Sequence, residues 1–177
     1  MSALFKSDIK LRGDLAITRR DACTGAILNF WERKNVITYG GMDILVKLMA
    51  PNSAFGSAIQ SESQIRSMRF GTNNTQPQRT DTTLANEAFA AGSPVRVELA
   101  DGQRIVGAAG TVEYVATLSA AMGNDVVYRE AGLFTRGTDN SPILTSNAIL
   151  FARQVFPDQP KTSAVELEFR WRTTITV

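Results

Sequence analysis

The chain has 177 residues, 19 Lys and Arg against 17 Asp and Glu, a formal charge of +2, no histidine and one cysteine. That length suits a single domain over residues 1–177, able to bury a core without disulfides or metal. The missing histidine removes the commonest general base and metal ligand, and a lone cysteine excludes an internal disulfide or thiolate cluster, so no catalytic, cofactor-binding or metal site is assigned.

The charges lie singly or in pairs, with no basic track for nucleic acid or an anionic membrane. No run approaches the ~18 apolar residues of a membrane helix. The opening "MSALFKSDIK" lacks an apolar core, so it does not read as a secretory signal.

In chain order, residues 14–21 and 26–38 are rich in β-branched and aromatic residues and are joined by the turn-like "ACTG", which predicts a hairpin. The period then changes: Ile44, Leu45, Leu48 and Met49 fall on one face of a short helix near residues 41–50, with Gly40 and Gly41 loosening its start and Pro51 stopping it. A small-residue loop leads to the strand "IRSMRFGT". Residues 73–83 hold no apolar residue but Pro77 and predict an exposed loop, and "LANEAF" predicts one helical turn. "PVRVELADGQRIVGAAG" reads as two strands about an Asp101-Gly102 turn. Strands at "TVEYVATLSA", "DVVYREAGLF" and "AILFARQVF" follow, then a turn at "PDQPKTS". The last strand, Val165 to Val177, alternates strictly. Its inward face is predicted as Val165, Leu167, Phe169, Trp171, Ile175 and Val177, with Thr173 the polar interruption, and its charged face discourages edge pairing.

Eight or nine short strands with turns between them and one helix predict an all-β fold, an antiparallel, jelly-roll-like β-sandwich with one peripheral helix.

Five features invite chemistry, and each has a plainer reading. Arg12-Gly13-Asp14 is the tripeptide of integrin ligands, but Gly13 reads as a turn before a strand. Cys23 reads as a small half-buried turn residue; only Arg19 and Arg20 stand near to favour a thiolate. Gly107 and Gly110 match the spacing of an RNA-clamping loop, yet lie between strands, where a bulge or close backbone approach is expected. Arg170 and Arg172 point away from Trp171, which belongs to the core, so they do not form a stacking platform. Glu130 stands beside Ala131-Gly132, where the strand bulges, and reads as a hydrogen-bonding anchor for a neighbouring backbone turn; glycosidic chemistry would need a second facing carboxylate.

Three stretches resemble virion proteins of tailed bacteriophages. "WERKNVITYGGMDIL" is similar to an N-x-(I/V)-T-x-x-G opening followed by a helix. "RFGTNNTQPQRTDTTLANEAF" resembles a GxGTxxPxxxDTxLxxE segment, with Arg69 in place of the first glycine. "YREAGLF" with "ILFARQVFPDQPKTSAVELEFRWRTTITV" is similar to their closing pattern, in which a Glu-Ala-Gly-Leu-Phe strand, an Ala-Arg strand and a Lys-Thr turn precede an alternating last strand. The order is the same, and "DGQRIVGAAG" is an insertion.

The resemblance implies a non-enzymatic β-sandwich subunit of a phage tail, baseplate or fibre attachment, made in the host cytoplasm and ending in the virion. Its partners would be copies of itself and other virion proteins, with no nucleic acid, membrane, small-molecule substrate or cofactor. A homo-oligomer, cyclic with three or more copies, is expected, with loops 50–64 and 72–83 in contact. The alternatives are a host-receptor or carbohydrate-binding module, marked by aromatics and carboxylates in one groove, or a collar or capsid decoration subunit. A carboxylate-based glycan hydrolase is the remaining possibility.

Overall fold

The computed structural model describes residues 10–49, 63–107, 110–135 and 148–176, with backbone alone at 48 and 49. Their strands form two antiparallel five-stranded sheets packed face to face. In chain order the strands are β1 (Lys10–Asp21), β2 (Ile27–Lys34), β3 (Val36–Ile37), β4 (Ile65–Gly71), β5 (Phe89–Ala90), β6 (Ser93–Pro94), β7 (Arg96–Glu98), β8 (Arg104–Val106), β9 (Thr111–Leu118), β10 (Val126–Thr135), β11 (Leu150–Lys161) and β12 (Val165–Thr176). The first sheet runs β2-β1-β12-β9-β8 and the second β3-β11-β10-β4-β7, with β5 and β6 a separate small hairpin.

Local chemistry sets the first hairpin. The Asp21 carboxylate accepts the amides of Cys23 and Thr24 at 3.1 and 2.8 Å and the Thr24 hydroxyl at 2.9 Å. Those donors, the Thr24 amide first, hold its carboxyl below the usual range. Gly25 then takes a left-handed φ of 71°, which a side chain would resist. The chain returns as β2, with Thr18 opposite Phe30 and Ile17 opposite Trp31.

The helix α1 spans Tyr39–Met49. Thr38 caps it: its hydroxyl accepts the Gly41 amide at 3.0 Å, and its carbonyl accepts the Met42 amide at 3.1 Å. Gly40 and Gly41 lie inside the first turn. Gly41 is there for room, because a Cβ would run into the Phe151 carbonyl. Ile44 faces the core and Leu45 is half-buried, while Met42 and Val46 are exposed. Leu48, Met49 and Pro51 fall outside the described side chains.

The core lies between the sheets. Leu15, Ile17, Leu167, Phe169 and Trp171 of the first sheet meet Met68, Phe70, Leu133 and Phe156 of the second. Phe70 and Phe169 pack across the gap with ring centres 4.6 Å apart, and Phe156 bridges Phe169 and Trp31 at 5.8 and 5.9 Å.

Several expectations are corrected. "LANEAF" makes no helical turn; Leu84 is buried as a plug and Phe89 begins a strand. The strands about Asp101-Gly102 are not a hairpin: β7 belongs to one sheet and β8 to the other, and a 3-10 turn at Asp101–Gln103 carries the chain across. The strand β11 continues through Pro157 and Pro160 to Lys161, so "PDQPK" is strand. It tolerates the prolines because β3 covers only Ala152 and Arg153 on that side, leaving the rest of the edge without a ladder to break.

On β12, Val165, Leu167, Phe169 and Trp171 are buried and Thr173 nearly so, but Ile175 is 43% exposed. At its level the sheets part into an open cleft of about 360 Å³. Val177 is outside the described residues. β12 is the central strand of its sheet, between β1 and β9, so its charged face guards no edge.

Candidate functional site

The outer face of the second sheet carries a buried ionic clamp. Glu130 on β10 is fully buried and Arg153 on β11 is 2% exposed. The Arg153 guanidinium donates to the Glu130 carboxylate at 2.7 and 2.8 Å, to Asp81 at 2.8 Å and to the Thr75 carbonyl at 3.1 Å. Glu130 also accepts the amides of Ala85 and Asn86 at 3.1 and 2.8 Å. One pair thus ties the segment from Thr75 to Asn86 down across the sheet.

Glycines make the space. A Cβ on Gly71 would strike the Glu130 carboxylate and the Asn86 carbonyl, and one on Gly132 would meet Leu84, Leu150 and Phe134 at 2.8–3.0 Å. Leu84 fills the pocket over Gly132 with Phe134 and Leu150. Arg69 lies 4.2 Å from the centre of the Phe134 ring. Burial, with Arg96 nearby, holds its guanidinium down to about 10.

The reading of Glu130 as an anchor for a neighbouring backbone turn therefore holds, but Ala131 and Gly132 keep a regular register and the bulge expected there falls instead at Arg129. Glu130 does not stand alone: Arg153 is its counter-ion, and Asp81 is a second carboxylate on the same guanidinium. The Glu-Ala-Gly-Leu-Phe strand, the Ala-Arg strand and the segment holding Asp81 and Leu84 all meet here. The loop 73–83 is mostly exposed, yet Asp81 and the Thr75 carbonyl fix it. Of loop 50–64, residues 50–62 lie outside the described residues.

The other candidates lie apart from this clamp. Arg12-Gly13-Asp14 is in the middle of β1 rather than a turn, and its two charged side chains, on one face of the strand, close on each other at 2.8 Å. Cys23 is exposed rather than half-buried, because the turn built on Asp21 points it outward. Gly107 and Gly110 flank residues outside the description. Gly110 has φ 68°, and a Cβ there would lie 2.9 Å from the Ile175 carbonyl, a close backbone approach. Trp171 is fully buried, whereas Arg170 and Arg172 reach Glu113 on the outer face at 2.9 and 3.2 Å.

Two surface features remain. Among the described residues β2 is an edge strand that pairs only with β1, and it exposes Ile27, Leu28 and Phe30 by 62, 53 and 57%. A groove of about 590 Å³ holds the exposed Phe89 together with Ser93 and Asp125. Ala91 and Asp125, at φ 50° and 62°, are the non-glycine residues of left-handed backbone among the described residues, and both border that groove.

Among the described residues no helix is long and apolar enough to cross a membrane. Comparison with protein-family models, with curated proteins and with solved structures finds no match.

Proposed function

We propose that this chain is a structural, non-enzymatic subunit of a bacteriophage particle, of the tail, baseplate or fibre attachment, acting by protein–protein assembly. The observation that carries assembly is the β2 edge. Eight residues of strand present a ladder that no described residue pairs on its outer side, and three large exposed apolar side chains. Isolated domains blunt such edges, and a flat apolar one invites another chain. The phage setting comes from the sequence resemblance, whose second and third segments meet at the Glu130–Arg153 clamp. That clamp fixes the segment from Thr75 to Asn86 on the sheet, where its exposed side chains can serve as a contact surface.

The test has two parts. The mass of the purified protein in solution should be a multiple of the chain mass, and the chain should be found in the intact particle. Phe30→Lys with Leu28→Lys should leave the subunit folded and abolish assembly. A monomer in the particle, or a variant that assembles normally, would overturn the reading.

One observation favours a second reading, a receptor- or carbohydrate-binding module: the groove that combines Phe89 with Asp125. Binding to a panel of bacterial surface glycans, lost in Phe89→Ala, would support it; no binding to any of them would remove it.

A further inference from the structure

Four cationic side chains meet at one corner of the molecule. Lys10 and Arg12 of β1, Lys34 of β2 and Arg79 of the clamped loop border a cleft of about 600 Å³ floored by Asn35. Backbone bonds fix the corner: the Asn35 amide donates to the Gly13 carbonyl at 3.0 Å, and the Tyr39 amide to the Arg79 carbonyl at 2.8 Å. Gly13 is required there, because a Cβ would collide with the Asn35 side chain.

The charge is left unbalanced. Asp14 holds Arg12 at 2.8 Å, and Glu32 adds a weaker attraction. Lys10, Lys34 and Arg79 make no ion pair among the described residues. By contrast Arg96, Arg129, Arg153 and Arg170 each close on a carboxylate at 2.6–2.9 Å. In a chain of formal charge +2, this is a local surplus.

We infer that this cleft binds an oxyanion, a carboxylate or phosphate group. Asp14 stands opposite Lys34 in the ladder but closes on Arg12. Lys10, Lys34 and Arg79, which close on no carboxylate among the described residues, and the outer edge of the Arg12 guanidinium offer charged donors to one anionic group. Charge-assisted bonds of this kind are the strong ones. A polyanion track is disfavoured, because Asp14 and Glu32 bound the corner with negative charge.

The experiment is calorimetric titration of the full chain with inorganic phosphate and, separately, with citrate. Saturable binding with one site per chain is expected, weakening as salt rises from about 20 to about 200 mM. Lys34→Glu with Arg79→Glu should weaken it by about tenfold or more. Lys34→Gln alone, a change at an exposed site, should weaken it less and keep the melting temperature; it replaces the double variant if that one does not fold. Lys47→Glu, on the helix, should change nothing. Phosphate preferred over citrate assigns a phosphate group, and the reverse a carboxylate. No saturable binding of either anion, or equal binding by the Lys34 variants, would overturn the inference.

Discussion

The pair Glu130–Arg153 shows how much one residue's role depends on its neighbours. Removing one partner of a buried pair strands the other charge, and here it also strands two backbone amides. Glu130→Ala should cost about 3–5 kcal/mol in denaturant unfolding. The double change Glu130→Gln with Arg153→Met should cost less than the two single changes together, since they share the same bonds. A loss under about 1 kcal/mol for Glu130→Ala would show that the clamp is peripheral. Glu130 was legible in the sequence as an anchor, but Arg153 was not. In the ladder Glu130 stands opposite Val155, and Arg153 stands opposite Gly132. The guanidinium reaches Glu130 only diagonally, over a position with no side chain. Spacing along the chain does not carry that register.

Among the elements, those written by local pattern were legible: the β1–β2 hairpin, the helix with its buried Ile44, and the inward row of β12 from Val165 to Trp171, though not its continuation to the exposed Ile175. The strict alternation of β12 follows from its place at the centre of a sheet, with one face on the core and the other on charged neighbours. Burying Val165, Leu167, Phe169 and Trp171 is worth about 6–12 kcal/mol as an upper bound, at ~1.5–3 kcal/mol each. That is comparable with the whole stability of a domain, about 5–15 kcal/mol. Deleting residues 165–177 should therefore give an insoluble or unfolded product, seen as loss of a cooperative melt. Glu168→Ser or Arg172→Ser should cost under about 1 kcal/mol, because the outer-face pairs are solvated. A truncated chain that melts cooperatively would contradict this account of β12. What local pattern did not carry was the partner of each strand. β7 and β8 sit on either side of an ordinary-looking Asp-Gly turn, yet pair in opposite sheets. Their partners, β4 and β9, decide the matter, and those pairings are remote in sequence.

For the molecule as a whole, stability should respond to alkaline rather than neutral pH. Burial pushes the Tyr114 phenol up to about 12, and it raises that of Tyr128, whose hydroxyl donates to the Gly123 carbonyl at 2.7 Å. Unfolded tyrosines ionise near ~10, so above that pH the unfolded chain releases protons that the folded one keeps. Stability from these groups is complete below about pH 10 and falls as pH rises through the folded values. Arg69 acts in the opposite sense, since its folded value is lowered. Arg104 and Lys161, whose folded values burial also lowers, act with Arg69, so the phenol contribution is read from the difference between the parent and a tyrosine variant. Above about pH 10, Tyr128→Phe should lose less stability with rising pH than the parent; a variant whose pH dependence matches the parent's would contradict the burial of that phenol. The ladder between β1 and β12 has one more consequence. Its twelve residue pairs, from Lys10 with Thr176 to Asp21 with Val165, join segments at opposite ends of the described chain. Loops that long close against entropy before any contact repays them, so folding should be slow, in the millisecond-to-second range of β-sandwiches. On the ribosome β1 must wait, paired with β2 alone and with its other edge open, until residues 165–176 have been made.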